Sequence, residues 1–103
     1  MKLEIEQMLV ASTGHITQED AKWLDSLVTS SKSPLKVYDR PDFGWFVYVP
    51  ANMTEEDLAY FSTAFQKLIE LAQKRNARWI LLDTDGPLYA NKQPCYNLEI
   101  HDW

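Results

Sequence analysis

Two aspartates one residue apart, Asp83 and Asp85, follow the apolar run Trp79-Ile80-Leu81-Leu82 and precede Gly86-Pro87. A two-carboxylate site of this kind could hold magnesium if a substrate phosphate supplied further oxygens. The architectural alternative is that both aspartates end a strand and organise the turn through side-chain-to-backbone bonds. His15 and His101 are the two histidines of the chain. If the first and last segments met, His15, His101, Asp83 and Asp85 would form a metal or acid–base cluster, the metal being unspecified. Nothing in the spacing requires this, and surface histidines are the default. Cys95, the single cysteine, has neither a helix start nor a flanking cation to favour its thiolate. No G-x-x-x-x-G-K, G-x-G-x-x-G, H-E-x-x-H or C-x-x-C motif occurs, so no cofactor is expected.

The elements that must position these groups can be read from periodicity. Leu3 to Ala11 alternates and then becomes continuously apolar, which predicts a strand whose beginning is half exposed. Thr17 caps a helix running to about Thr29, with Ala21, Leu24, Leu27 and Val28 on its buried face. Thr17 and Asp20 make a weak capping box, because aspartate reaches back less well than glutamate. Leu35–Tyr38 and Gly44–Val49 are rich in β-branched and aromatic residues, and 39–43 are turn formers, so the pair predicts a β-hairpin. Thr54 caps a second helix, stapled by Met53 and Leu58 and striped by Phe61, Phe65, Leu68, Ile69 and Ala72. It should end near Arg75-Asn76, with Asn76 able to take the left-handed cap conformation. Trp79–Asp83 then predicts a central strand buried on both faces. Residues 96–103 predict a last short strand or a docked tail. The sum is one α+β domain over residues 1–103, a two-layer sandwich of order β-α-β-β-α-β. This is the ferredoxin-like order, with a mostly antiparallel sheet and two helices on one face.

Composition narrows the function classes. Fifteen acids against ten bases give a net charge of −5, and no basic cluster exists to release counterions, which argues against direct nucleic-acid binding. Lys74, Arg75 and Arg78 fall at a helix end, where they complement the macrodipole. No apolar run approaches the ~20 residues of a membrane span, and the N-terminus lacks the form of a signal peptide. A single cysteine permits no internal disulfide. The expectation is therefore a cytoplasmic domain without a membrane partner.

Thirteen aromatic residues exceed what one two-layer core needs. Trp45, Val47 and Val49 alternate with Phe46 and Tyr48, so both faces of that strand are apolar although helices can cover only one. Tyr60 widens the stripe of the second helix, and Trp23 lies off that of the first. This surplus predicts a second buried surface, either a homodimer or a protein partner, or cover by the terminal segment. The residues assigned to such a partner are Trp23, Asp39, Asp42, Phe43, Glu55, Glu56 and Tyr60; the bland reading of the acids is capping and turn chemistry.

Two resemblances add to this. Asp83-Thr84-Asp85-Gly86-Pro87-Leu88 resembles the first motif of haloacid-dehalogenase-type phosphatases, an apolar strand followed by D-x-D-G-T-L. That resemblance implies a nucleophile at Asp83, a general acid/base at Asp85 and magnesium between them. The chain departs from it at Pro87, which stands in place of threonine, and too little chain follows for the remaining strands, lysine and acids; no catalytic residue is assigned. Ser12-Thr13-Gly14-His15-Ile16-Thr17 with Ala21 and Trp23-Leu24, then Gly44–Pro50, then Leu82–Pro87 with Asp102-Trp103, resemble a family of small uncharacterised bacterial proteins. It is a domain of unknown function carried on plasmids, integrative elements and prophages. The resemblance implies a non-enzymatic interaction module, an acidic inhibitor of host defence or nucleic-acid-binding machinery. The competing expectation is a small metal-dependent enzyme or ligand-binding domain at Asp83 and Asp85.

Overall fold

A computed structural model describes residues 3–30, 35–51, 53–89 and 98–103. Four strands, β1 (Gln7–Ser12), β2 (Lys36–Arg40), β3 (Gly44–Tyr48) and β4 (Ala77–Asp83), form one sheet of order β1-β4-β3-β2. Three helices accompany it: α1 (Gln18–Val28), α2 (Glu55–Leu58) and α3 (Thr63–Lys74). The domain is α+β, as composition and periodicity indicate. The ferredoxin-like order holds along the chain but not across the sheet. That arrangement puts β1 inside the sheet, whereas here β1 is an edge and pairs in parallel with β4. The pairs β3–β4 and β2–β3 are antiparallel, so the sheet is mixed.

The free edge of β1 is closed locally. Ser12 N–H donates to the Pro87 carbonyl at 2.9 Å, and the Tyr89 hydroxyl donates to the Val10 carbonyl at 2.6 Å. The chain that follows β4 takes up these two outward backbone groups, which blunts that end of the edge as a template for further strand pairing. Gly86 makes this crossing possible, because a Cβ there would lie 2.7 Å from the Ala11 carbonyl oxygen. Residues 3–6 do not join the strand as their alternation suggests. β4 begins at Ala77, opposite Gln7, so nothing pairs with them, and Leu3 and Ile5 remain exposed.

The core lies between one sheet face and helices α1 and α3. Ala11, Val37, Val47, Ile80 and Leu82 pack with Leu24, Phe65, Leu68 and Ile69 in one cluster. Complete burial of a side chain such as Phe65 contributes roughly 2–3 kcal/mol. The alternation along β4 leaves Trp79 and Leu81 on the opposite, half-buried face, which corrects the expectation of a strand covered on both sides.

The second helix is two helices. Ser62 starts α3 afresh, its side chain accepting from Phe65 N–H. Gln66 donates its side-chain amide to the Leu58 and Phe61 carbonyls at 3.0 and 2.9 Å, satisfying groups that the break frees. The apolar stripe crosses the interruption, with Phe61 and Phe65 edge to face, so periodicity alone could not reveal it. Asn76, at φ 59°, ends α3 as expected.

Candidate functional site

At the end of the sheet one transverse row runs Arg40, Gly44, Asp83, Ser12 across β2, β3, β4 and β1. Arg40 and Asp83 form an ion pair across β3, possible because the intervening residue has no side chain. Gly44 has φ +145°, and a Cβ would stand 1.8 Å from the Leu82 carbonyl oxygen. The other Asp83 oxygen accepts Asp85 N–H at 2.8 Å, and Gly86 N–H donates to the Asp83 carbonyl at 2.9 Å. Asp83 therefore shapes the turn and anchors the hairpin. Asp85 is exposed.

The first and last segments do meet, in another way than a metal site. His15 is fully buried. Its Nε2 accepts Tyr89 N–H at 2.9 Å, which places the ring proton on Nδ1, 2.8 Å from the Glu99 carbonyl. Its ring stacks on Tyr89. His101 N–H donates to the Gly14 carbonyl at 2.7 Å, and the Trp103 indole donates to the Ile16 carbonyl at 2.8 Å. Residues 98–103 are thus a docked tail and not a strand, with Leu98 buried beneath them. The Glu99 carboxylate takes the Thr63 hydroxyl, His101 and Lys67. The Thr63 hydrogen bond, followed by that of His101, holds its pKa below the ordinary carboxylate range. Among the described residues no group of three or more His, Cys, Asp or Glu is arranged to hold a metal ion. Cys95 lies outside the described residues.

The residues assigned to a protein partner fall into two groups. Trp23 and Tyr60 pair on the helix side, ring centroids 5.4 Å apart, both exposed; Glu55 and Glu56 are exposed in the first turn of α2. Asp39, Asp42 and Phe43 gather at the hairpin tip. There Pro41 and Asp42, the latter at φ 68°, occupy the central positions of a turn closed by Phe43 N–H on the Arg40 carbonyl at 3.0 Å, matching a type II turn. With Asp25, Trp45 and Trp103 they line a pocket of about 330 Å³. The Trp45 indole N–H donates to Asp25 at 2.9 Å, and the Arg40 guanidinium lies 5.1 Å from the centre of the Phe43 ring.

The sheet face opposite the helices carries Met8, Val10, Tyr38, Phe46, Tyr48, Trp79 and Leu81 by strand parity. Trp79 is its centre: Tyr48 meets it edge on at 5.1 Å, Tyr38 tilts over it at 5.9 Å, and its indole donates to Glu6 at 2.6 Å. Met8, Tyr38, Phe46 and Trp79 enclose a shallow apolar concavity. Met8, Val10 and Tyr38 are exposed. The described tail docks at His15 and Ile16, at one end of the domain, and leaves this face open.

Residues 8–103 match the C-terminal domain of the family of unknown function DUF5983. The chain belongs to that family. No curated protein and no solved structure matches it. Membership of DUF5983 agrees with the resemblance drawn from the sequence as far as a domain of unknown function goes, and it brings no activity to any residue. Among the described residues no helix is long and apolar enough to cross a membrane.

Sequence reasoning missed Asp20, Glu99 and the role of Trp103. Asp20 was legible only as half of a capping box, and both halves form, at 3.0 and 3.1 Å. Nothing in the local sequence marks its second role, as the acceptor for Ser62. Asp25 and Trp45 lie twenty residues apart and could be joined only once α1 was known to flank the hairpin.

Proposed function

We propose that this domain is a non-enzymatic protein-interaction module that docks a protein partner on the sheet face opposite its helices. The observation that carries the reading is the aromatic and aliphatic surface around Trp79, contiguous across all four strands. Contiguous exposed apolar patches mark interaction sites, and tryptophan and tyrosine are the side chains that most often anchor them. The partner is one that presents apolar surface together with positive charge, because the chain carries −5; opposite charge steers encounter and fixes orientation. The resemblance to proteins of plasmids and prophages extends this to an acidic inhibitor of a host defence or nucleic-acid-binding complex. That extension rests on the resemblance alone.

The competing reading, a small metal-dependent enzyme or ligand-binding domain at Asp83 and Asp85, has less support. Asp83 is already paired with Arg40 and bonded to Asp85 N–H, and His15 spends both ring nitrogens on backbone groups.

The test compares tagged wild type with Phe46→Glu in pull-downs across a salt series, with light scattering of each protein alone. The expected result is a monomeric wild type that retains one protein in stoichiometric amount, less as salt rises, and a Phe46→Glu variant that retains none. Equal retention by both proteins would overturn the assignment of this face. A wild-type dimer dissolved by Phe46→Glu would reassign the face to a second copy of the chain.

A further inference from the structure

The hairpin-tip pocket has a chemistry of its own. At about 330 Å³ it falls in the range of cavities that enclose one small ligand or one side chain. Its aromatic walls come from β3 (Trp45), the turn (Phe43) and the docked tail (Trp103). Both indole N–H groups are committed to the protein, Trp45 to Asp25 and Trp103 to the Ile16 carbonyl. The rings therefore contribute surface to the cavity and not donors.

Three carboxylates share the lining: Asp25 on α1, Asp39 on β2 and Asp42 in the turn. Asp39 is directly opposite Trp45 in the β2–β3 ladder, so the two side chains leave the same face of the sheet. Among the described residues neither Asp39 nor Asp42 has a hydrogen bond or ion pair through its carboxylate. The cation in the lining, Arg40, is held by Asp83 and packed on Phe43, so it does not neutralise them.

Ring faces carry negative quadrupole and attract a cation that can also make apolar contact. Carboxylates beside them set the same sign at longer range. An anion would meet three like charges. A bare metal ion would lack converging ligands, since no trio of the described acids is arranged for one. The chemistry left is that of an organic cation: a head group that hydrogen-bonds to carboxylates and packs its flat or alkyl surface on indole.

We propose that this pocket takes the guanidinium or ammonium head of a basic side chain presented by a protein partner, arginine fitting best because its planar head both stacks and binds carboxylates in pairs. This rests on the reading of the domain as a protein-interaction module and names the residue class that the partner inserts. The same head-group chemistry could arrive on a free small organic cation, and the test separates the two sources.

The experiment follows the Trp45 and Trp103 indole N–H signals of the ¹⁵N-labelled full chain. The probes are N-acetyl-arginine amide, its neutral isostere N-acetyl-citrulline amide, the free cation agmatine, and the pentapeptide Gly-Ser-Arg-Ser-Gly. Saturable shifts are expected with the arginine amide, about tenfold weaker with the citrulline amide and about tenfold weaker in Asp39→Asn/Asp42→Asn, whose exposed side chains support nothing else. The pentapeptide should bind at least as tightly as agmatine; tighter agmatine binding would overturn the protein source and leave a small-molecule site. Absence of saturation, equal binding of the citrulline amide, or undiminished binding by the double variant would overturn the cation pocket. Phe46→Glu keeps the two readings apart, for it should abolish partner capture while leaving the arginine-amide shifts intact. Failed titration beside Phe46-dependent capture would sink the pocket alone.

Discussion

Asp20, buried at the start of α1, accepts hydrogen bonds from both the backbone N–H and the hydroxyl of Ser62, the residue that caps α3. The same carboxylate closes the capping box of its own helix by accepting Thr17 N–H at 3.0 Å. One negative charge thus serves two helix N-termini, where the macrodipoles favour it.

Removing it should be costly. Asp20→Ala is expected to destabilise the domain by about 2–4 kcal/mol, because charge-assisted bonds and two caps are lost together. Ser62→Ala should cost ~1–2 kcal/mol, and the double variant less than the sum, since the pair acts as a unit. Urea denaturation of the four proteins measures the coupling, and strict additivity would show that the contact contributes nothing.

Gly44→Ala is expected to cost about 3 kcal/mol or more. The new Cβ meets the Leu82 carbonyl in a backbone conformation that L-residues rarely adopt. The β2–β3 hairpin would have to shift, parting Arg40 from Asp83. A fall in melting temperature of roughly 10 °C or more, with loss of Trp45 indole protection, is the outcome to look for. An unchanged melting temperature would contradict the close approach.

Attachment of residues 98–103 should depend on pH through Glu99. Its folded pKa lies below the ordinary value of 4.5, chiefly through the Thr63 hydroxyl and His101. A carboxylate with a depressed folded pKa stabilises the docked state above its unfolded pKa and loses that contribution as pH falls through the folded one. The tail should therefore stay docked down to the ordinary glutamate range and loosen below it. Hydrogen exchange at His101 N–H against pH reads this directly. Glu99→Gln should flatten the profile, and an identical profile in that variant would remove Glu99 as the cause.

His15→Ala should release the tail at any pH. It deletes a fully buried ring together with acceptors and donors for Tyr89 and Glu99, a loss of about 2–4 kcal/mol. Trp103 fluorescence should shift toward that of a solvated indole, while α3 loses its Thr63 and Lys67 bonds to Glu99 but keeps its core packing and its far-ultraviolet signal. A variant with native fluorescence would show that Trp103 docks without His15.

What could be read in advance follows from the range of the interaction involved. Elements defined by local pattern were legible: the Thr17 and Thr54 caps, the hairpin with its turn formers at 39–43 and the left-handed Asn76. The doubled apolarity of Trp45-Phe46-Val47-Tyr48 rightly signalled a second apolar face. The place of β1 in the sheet was not legible, because parity and hydropathy do not say which strand is the neighbour. The break at Ser62 was hidden by a stripe that stays in phase across it. Asp83 and Asp85 suggested chemistry by spacing alone, and only the register that sets Arg40 opposite Gly44 and Asp83 shows what Asp83 does. The pocket could not be anticipated as a unit, since Asp25, Asp42 and Trp103 come together only through tertiary packing.

The parallel pairing of β1 with β4 has a bearing on how the chain is born. β1 is made first, yet its ladder partner among the described residues begins at Ala77, so its backbone and the apolar side chains of Met8–Val10 stay unclaimed while some seventy residues are synthesised. Contacts so distant in sequence slow the search for the native state and prolong exposure of a sticky segment. The hairpin and the helices can form on the ribosome, but closure of the sheet must wait for nearly the whole domain to emerge. Folding of this protein is therefore expected to be late and concerted, and most open to rescue by a chaperone that shields its first strand.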